Sequence, residues 1–144
     1  GQEVRLRSRI ELTVREAMPP VAQGDPIQIE HILLNLLSNA GKYASGEAGI
    51  QIHVGSAGGY AFCRIVNDGR IPPEEKAYLF DRYFRGSNSR HASGIGIGLY
   101  MARSLARLQA GDVRLVDEEC GDQVAFELSL PLAATQTELW EKTA

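Results

Sequence analysis

The sequence predicts an α+β fold: a two-layer α/β sandwich in which a mixed, mostly antiparallel sheet carries helices on one face. Two observations predict it. Segments with period-two alternation occur mostly in hairpin pairs, and two longer segments with helical periodicity lie between them. A sheet with one apolar face must be covered by a second layer. At 144 residues the chain has the size of one domain, which we assign to residues 1–132, with a C-terminal tail over 133–144.

The predicted order of secondary-structure elements begins with a strand and a helix. Apolar and polar residues alternate over residues 4–14, which predicts a half-buried strand. A turn follows, in which Asp25 is suited to cap a helix and Pro26 to open it. The pattern predicts that this helix ends near Tyr43.

The second half is predicted from turn residues. Residues 50–54 and 60–66 form a hairpin about Gly58-Gly59, and the polar sequence 67–69 ends its second strand.

A short helix is expected to start at residues 72–75. A polar loop spans 86–93, and a glycine-rich sequence opens a helix that extends to about Gln109. The last hairpin pairs residues 113–116 with 124–130.

The composition is that of an ordinary soluble globular protein, with 44% hydrophobic and 23% charged residues and a net charge of −3. No bulk charge favours nucleic acid or membrane. The two cysteines lack metal-ligand spacing, so a reducing, cytoplasmic compartment is the simplest expectation. No run approaches the ~20 apolar residues of a membrane span, and no signal peptide is visible.

The first predicted helix carries an unusual polar face. At ~100° per residue, one side presents polar side chains and another side apolar ones. The polar side consists of His31, Asn35, Asn39 and Lys42, and the apolar side of Ile29, Leu33, Leu36, Leu37 and Ala40. A solvated stripe is one interpretation, but asparagine is a poor helix former. A carboxamide oxygen can ligate Mg²⁺, and a lysine can bind phosphate.

The second predicted helix opens with Gly-x-Gly-x-Gly at Gly94, Gly96 and Gly98. Glycines let backbone amides approach a phosphate, and a helix N-terminus adds positive potential. Taken alone the signal is weak. A Rossmann site is disfavoured because a polar loop rather than a strand precedes it, and a P-loop is excluded because Gly-Lys-Ser/Thr is absent.

Three motifs in this order identify a family. The sequence over 34–43 resembles an asparagine box, 79–85 a phenylalanine box, and 94–99 a second glycine box. Over roughly residues 4–132 the chain resembles the catalytic ATP-binding domain of bacterial sensor histidine kinases. The resemblance implies the gyrase and heat-shock-chaperone (Bergerat-type) ATP-binding fold, with ATP and Mg²⁺ as ligands.

The resemblance implies a role for each polar residue of the first helix. Asn39 would ligate Mg²⁺, and Asn35 would help to hold the ion and the phosphates. Lys42 would bind phosphate oxygens. Tyr43 would pack against adenine, although a core aromatic is an equal alternative.

The resemblance also implies roles for the later motifs. Arg85 would reach the γ-phosphate, with a surface arginine as the alternative, and residues 86–93 would form a lid. The phosphate-side loop would consist of Gly94, Gly96, Gly98 and Leu99. Phe80 and Phe84 would be packing anchors.

The first glycine box departs from the family pattern. Asn67 stands at the position of the aspartate that accepts the adenine amine, Gly69 is the first glycine, and the second glycine is missing. An asparagine oxygen can accept this bond without charge assistance, at about half the strength. A loss near ~1 kcal/mol corresponds to several-fold weaker binding.

The identity of Asn35 bears on the reaction. Gyrase-type ATPases have at this position a glutamate that activates water, whereas asparagine is no general base. We therefore expect slow hydrolysis and transfer of the γ-phosphoryl group to a histidine of a separate dimerisation and phosphoacceptor domain, upstream of a response regulator. Lys42, Arg85 and Mg²⁺ would neutralise charge.

The fragment itself is expected to be a monomer that contacts neither nucleic acid nor membrane. None of its three histidines has an acceptor-like context, so it should not phosphorylate itself. Two alternatives stay open: a pseudokinase regulatory module with a degraded adenine site, and an anti-sigma serine kinase. The sequence of residues 34–39 and the complete aromatic-basic segment 79–85 argue against the anti-sigma serine kinase.

Overall fold

The computed structural model describes residues 10–14, 20–43, 49–82, 98–116 and 122–133. Within these residues one sheet has five strands in the order β1-β2-β3-β5-β4. The strands are β1 (Ile10–Val14), β2 (Ile50–Ala57), β3 (Tyr60–Asp68), β4 (Asp112–Val116) and β5 (Gln123–Pro131). Two α-helices, α1 (Pro26–Tyr43) and α2 (Gly98–Leu108), and a 3₁₀ helix (Pro73–Tyr78) complete the described elements.

The sheet is mixed and mostly antiparallel, as predicted. β1 pairs in parallel with β2, whereas the β2–β3, β3–β5 and β4–β5 pairs are antiparallel. The β2–β3 hairpin turns through Gly58 (φ 57°) and Gly59 (φ 83°), the positive φ values that a two-residue hairpin requires. The glycine pair identified from the sequence is therefore the turn itself.

The core lies between the helices and one face of the sheet. Deeply buried members come from both layers, among them Ile32, Leu36, Ala102 and Ala106 from the helices, and Ile65, Val113 and Phe126 from the sheet. These side chains alternate along the strands, and they recur every three or four residues along the helices. The two-layer α+β fold predicted from the sequence is confirmed.

α1 begins where its capping sequence predicts. The Asp25 carboxylate accepts hydrogen bonds from the backbone amides of Ile27 (2.9 Å) and Gln28 (3.4 Å), so it satisfies two of the orphan donors of the first turn. The buried stripe is centred on Ile32, Leu36 and Ala40. It is rotated slightly from the predicted one, in which Ile32 was not included.

Several boundaries differ from the predicted ones; β2, for example, continues to Ala57 rather than ending at residue 54. The prediction that β3 ends before Asn67 is wrong, since Asn67 and Asp68 stay in the ladder opposite Val124 and Gln123. β5 is long enough to supply these partners, and pairing overrides the turn propensity of the local sequence. α2 ends at Leu108, within one residue of the predicted end near Gln109, and the short helix expected to start at 72–75 is the 3₁₀ helix. Residues 4–9, the predicted loop 86–93 and the tail after 133 lie outside the described residues.

Candidate nucleotide site

The asparagines of α1 lie beside its buried stripe. Asn35 and Asn39 are both half-buried, whereas His31, one turn earlier, is exposed. The Asn39 Nδ2 atom is buried, and no acceptor among the described residues lies within hydrogen-bond distance of it. A buried amide group without a partner destabilises the fold by about 1–3 kcal/mol. This atom is therefore available to a ligand that brings an acceptor.

α1 and α2 run antiparallel side by side. The Asp25 amide, at the start of α1, donates to Gln109 Oε1 at 2.6 Å, just after the end of α2. At ~1.5 Å per residue, Asn39 lies about 21 Å and Gly98 about 17 Å from these joined ends. The asparagines near the end of α1 and the first turn of α2 therefore share one end of the helical layer.

The first turn of α2 offers backbone donors at that end. Its first four amides have no acceptor inside the helix, and the helix dipole makes this end positive. Gly98 is exposed, and a Cβ there would meet no atom within 4 Å. Leu99, the next residue, is buried in the core and anchors the turn. Such a terminus suits a phosphate group.

Asn67 lies near the end of β3 and is 2% exposed. It alternates with Ile65, so its side chain points to the helical face of the sheet. Its Nδ2 donates to the Asp68 carbonyl at 3.1 Å. Because a carbonyl only accepts, this bond fixes which carboxamide atom is nitrogen. The buried Oδ1 then has no donor among the described residues.

The residues that follow Asn67 in the sequence are held by β5 and by the core. The Gly69 amide donates to the Asp122 carbonyl at 3.0 Å. Asp68 is exposed, so it does not replace Asn67 in the interior. Phe80 packs edge-on against Phe126, with ring centroids 6.2 Å apart.

Other predicted site residues cannot be placed. Lys42 and Tyr43 are the last residues of α1, and their side chains are outside the described part of the chain. Arg85, Gly94 and Gly96 fall within residues 83–97, which are also outside it.

Gln109 joins the two helices through the Asp25 amide and is not among the residues predicted from the sequence. No local signal distinguishes it, since its partner lies 84 positions away in the sequence. The described residues contain no group of three or more His, Cys, Asp or Glu side chains placed to hold a metal ion. No helix in the described ranges is long and apolar enough to cross a membrane.

Comparison with known proteins agrees with this geometry. Residues 24–134 match the family described as histidine kinase-, DNA gyrase B-, and HSP90-like ATPase. The sensor histidine kinase GlrK of Escherichia coli K12 is 36% identical over 110 residues, which cover 74% of this chain and 23% of GlrK. The sensor histidine kinase RcsC of the same strain is 34% identical over 122 residues, or 83% of this chain and 13% of RcsC.

The fold has close structural neighbours. The mycobacterial sensor histidine kinase MprB superposes with a TM-score of 0.75 at 25% identity, covering 93% of this chain and 91% of that structure. The nucleotide-free catalytic domain of histidine kinase ThkA gives a TM-score of 0.70 at 24% identity, covering 90% of this chain and 85% of that one. The chain spans about a quarter or less of the length of the curated relatives above. With its motifs, sheet topology and family match in agreement, this chain belongs to the histidine kinase-, DNA gyrase B- and HSP90-like ATPase family.

Proposed function

We propose that this chain binds Mg-ATP and donates the γ-phosphoryl group to a histidine on a separate helical phosphoacceptor domain of a two-component sensor kinase. The observation that carries the proposal is the pair of buried, unsatisfied carboxamide atoms, Asn39 Nδ2 and Asn67 Oδ1. A nucleotide brings groups that complement both: phosphate oxygens accept, and the exocyclic amine of adenine donates. One bound molecule would satisfy two buried groups that the described residues leave unpaired.

The adenine end of the site depends on Asn67. Its Oδ1 faces the interior with no competing donor among the described residues, so it can accept a hydrogen bond from the adenine amine. This bond is neutral and weaker than the carboxylate bond of the family pattern. The expected result is adenine binding of modest affinity.

The phosphate end depends on α1 and α2. Asn39 and Asn35 would supply hard carboxamide oxygens to Mg²⁺, which typically keeps several waters and takes its other ligands from phosphate. A Mg²⁺ site without a cluster of carboxylates fits this chemistry, because the ATP phosphates would contribute most of the negative charge around the ion. Backbone amides of Gly98 and Leu99 would meet the phosphate side, with Lys42, Arg85, Gly94 and Gly96 as further proposed contacts.

The residue at position 35 favours transfer to an outside acceptor over hydrolysis. The Asn35 carboxamide has no proton-accepting group at neutral pH, so no side chain at this position would activate water. Bound Mg²⁺ would neutralise charge on the transferred group, while the protein supplies positioning. The sensor histidine kinases GlrK and RcsC support a histidine as acceptor and a response regulator downstream.

The proposal is tested by thermal unfolding with ATP and Mg²⁺. At a ligand concentration 100-fold above Kd, binding stabilises the native state by about 2.7 kcal/mol, which corresponds to several degrees in Tm. Asn39→Ala should reduce the shift, and His31→Ala, an exposed site on the same helix, should leave it unchanged. No shift of the unmodified chain at millimolar nucleotide would contradict the proposal and would favour a regulatory module without nucleotide.

A further inference from the structure

Phe80 is held between a ring and a cation. On one side it packs edge-on against Phe126, which is 1% exposed. On the other side the guanidinium carbon of Arg103 lies 3.9 Å from the Phe80 ring centroid. That separation is well inside the ~6 Å limit for a cation–π contact. Phe80 is thus fixed from the sheet and from α2 at once.

The Arg103 side chain is oriented by β4. Its Nε donates to Asp112 Oδ1 at 3.2 Å and to the Val113 carbonyl at 3.0 Å. Arg107 Nε donates to the same Asp112 oxygen, also at 3.2 Å. Both arginines therefore share one carboxylate, but only Arg103 is stacked on a described ring.

A second contact of the same kind lies close by in the sequence. The guanidinium carbon of Arg82 lies 5.7 Å from the Tyr100 ring centroid. Residues 80–82 thus supply one ring and one cation, and α2 supplies the complementary cation and ring. The two contacts form a reciprocal pair, which we call the cation–π staple: Phe80 with Arg103, and Arg82 with Tyr100.

The staple connects the two chain positions that flank residues 83–97. Arg82 is the last described residue before that stretch, and Tyr100 is the third residue after it. Tyr100 belongs to the first turn of α2, whose amides are the proposed phosphate donors. A contact that fixes this turn against residues 80–82 would fix the direction of those donors.

We propose that the cation–π staple holds the first turn of α2 in place, and that Arg103 and Phe80 are thereby positioning residues for nucleotide binding. The second part of this inference rests on the proposed function. Neither residue needs to touch the nucleotide. Their effect on affinity would come from pre-organising the backbone donors, which lowers the ordering cost of binding.

Amide hydrogen exchange tests the first part without any ligand. The amides of residues 102–104 bond to the carbonyls of residues 98–100, so they report on the first turn. Arg103→Met and Phe80→Leu should raise their exchange rates about five- to tenfold. Arg107→Met, which loses the same Asp112 contact but neither the Val113 bond nor a described ring contact, should leave them within about twofold. Phe80→Leu removes the ring and keeps both Arg103 bonds, so it separates the ring contact from the Val113 bond. Equal exchange rates at residues 102–104 in Arg103→Met and Arg107→Met would overturn the proposal that the staple holds the first turn of α2.

Nucleotide affinity tests the second part. Arg103→Met should raise the Kd for Mg-ATP about five- to tenfold. Arg103→Lys should recover only part of the loss, because it keeps a cation but not the planar guanidinium, and Arg107→Met should bind like the unmodified chain. Tyr100→Leu tests the other contact if a Phe80 variant fails to fold. An unchanged Kd beside faster exchange in Arg103→Met would refute the positioning role. Absence of nucleotide binding by the unmodified chain would reject the proposed function, while the exchange result would still decide the staple.

Discussion

At the scale of single residues, the side chain at position 67 has opposite effects on the stability of the fold and on the affinity for ATP. In the unliganded chain its Nδ2 bonds to the Asp68 carbonyl, and its Oδ1 is buried without a donor among the described residues. Replacement by aspartate removes that bond and buries an unpaired charge, so the free energy of unfolding should fall. The same charge strengthens a bond from the adenine amine. Asn67→Asp should therefore bind ATP several-fold more tightly while melting at a lower temperature.

Calorimetric titration and urea unfolding measure these two effects separately. Asn67→Leu is the matched variant, because it keeps the approximate volume and removes the acceptor. It should lose most adenine selectivity, measured as the ratio of Kd values for GTP and ATP. If Asn67→Leu keeps the ATP affinity and the selectivity of the unmodified chain, then Asn67 does not contact the base.

Cys63 gives the fold a dependence on alkaline pH. Burial, and second the negative charge of Glu127, raise the pKa of the Cys63 thiol from 9.0 to about 11. Because the folded-state pKa is raised, the associated stability is fully present below pH 9 and is lost as the pH rises toward 11. The loss is at most roughly 2–3 kcal/mol.

Urea unfolding between pH 8 and pH 11 checks this, with Cys63→Ala as the reference. The unmodified chain should lose more stability over this range than Cys63→Ala does. Identical pH profiles for the two proteins would show that the thiol titrates normally in the folded state.

At the scale of elements, Glu127 ties three strands together. It is 6% exposed on β5, opposite Arg64 on β3 and Arg114 on β4. One carboxylate oxygen accepts from Arg64 (2.7 Å) and the other from Arg114 (3.1 Å). Removing the carboxylate charge leaves the half-buried Arg64 guanidinium without an anionic partner. Glu127→Gln should therefore lower the free energy of unfolding by about 3 kcal/mol.

The two arginines provide the graded comparison for that prediction. The Arg114 side chain is 59% exposed and that of Arg64 is 28% exposed. Arg114→Met should lower the free energy of unfolding by about 1 kcal/mol or less. The decrease for Arg64→Met should lie between those for Arg114→Met and Glu127→Gln. Chemical denaturation monitored by circular dichroism measures all three. A cost for Glu127→Gln no larger than that for Arg114→Met would mean that the bridge is not a stabilising unit.

At the scale of the whole molecule, local signals predicted the elements and missed the contacts between them. Asp25-Pro26 marks the start of α1 and Gly58-Gly59 marks the hairpin, because caps and tight turns depend on a few adjacent residues. The Glu127 bridge and the Arg103–Phe80 contact join residues on different elements. No periodicity records such pairs, since they depend on strand order and helix placement.

The candidate site shows the same division. The asparagines of α1 and the opening of α2 were recognised from motifs, and the fold brings them to one end of the helical layer. The burial of Asn67 was not foreseen in full, because its turn-like neighbours suggested that β3 had already ended. Only the β3–β5 register shows that Asn67 is inside the sheet.

The chain by itself should turn over bound ATP slowly and should not label itself. The described histidines do not resemble phosphoacceptors: His31 is exposed on α1, but apolar residues rather than an acidic–basic pattern follow it, and His53 lies in β2 with its Nδ1 buried. A nucleotide held for transfer, with no general base at Asn35, should be consumed slowly. Incubation with γ-labelled ATP and Mg²⁺ should therefore show bound nucleotide, slow phosphate release and no acid-labile label on the chain. Stable acid-labile label that disappears in His31→Ala would show instead that the chain carries its own acceptor.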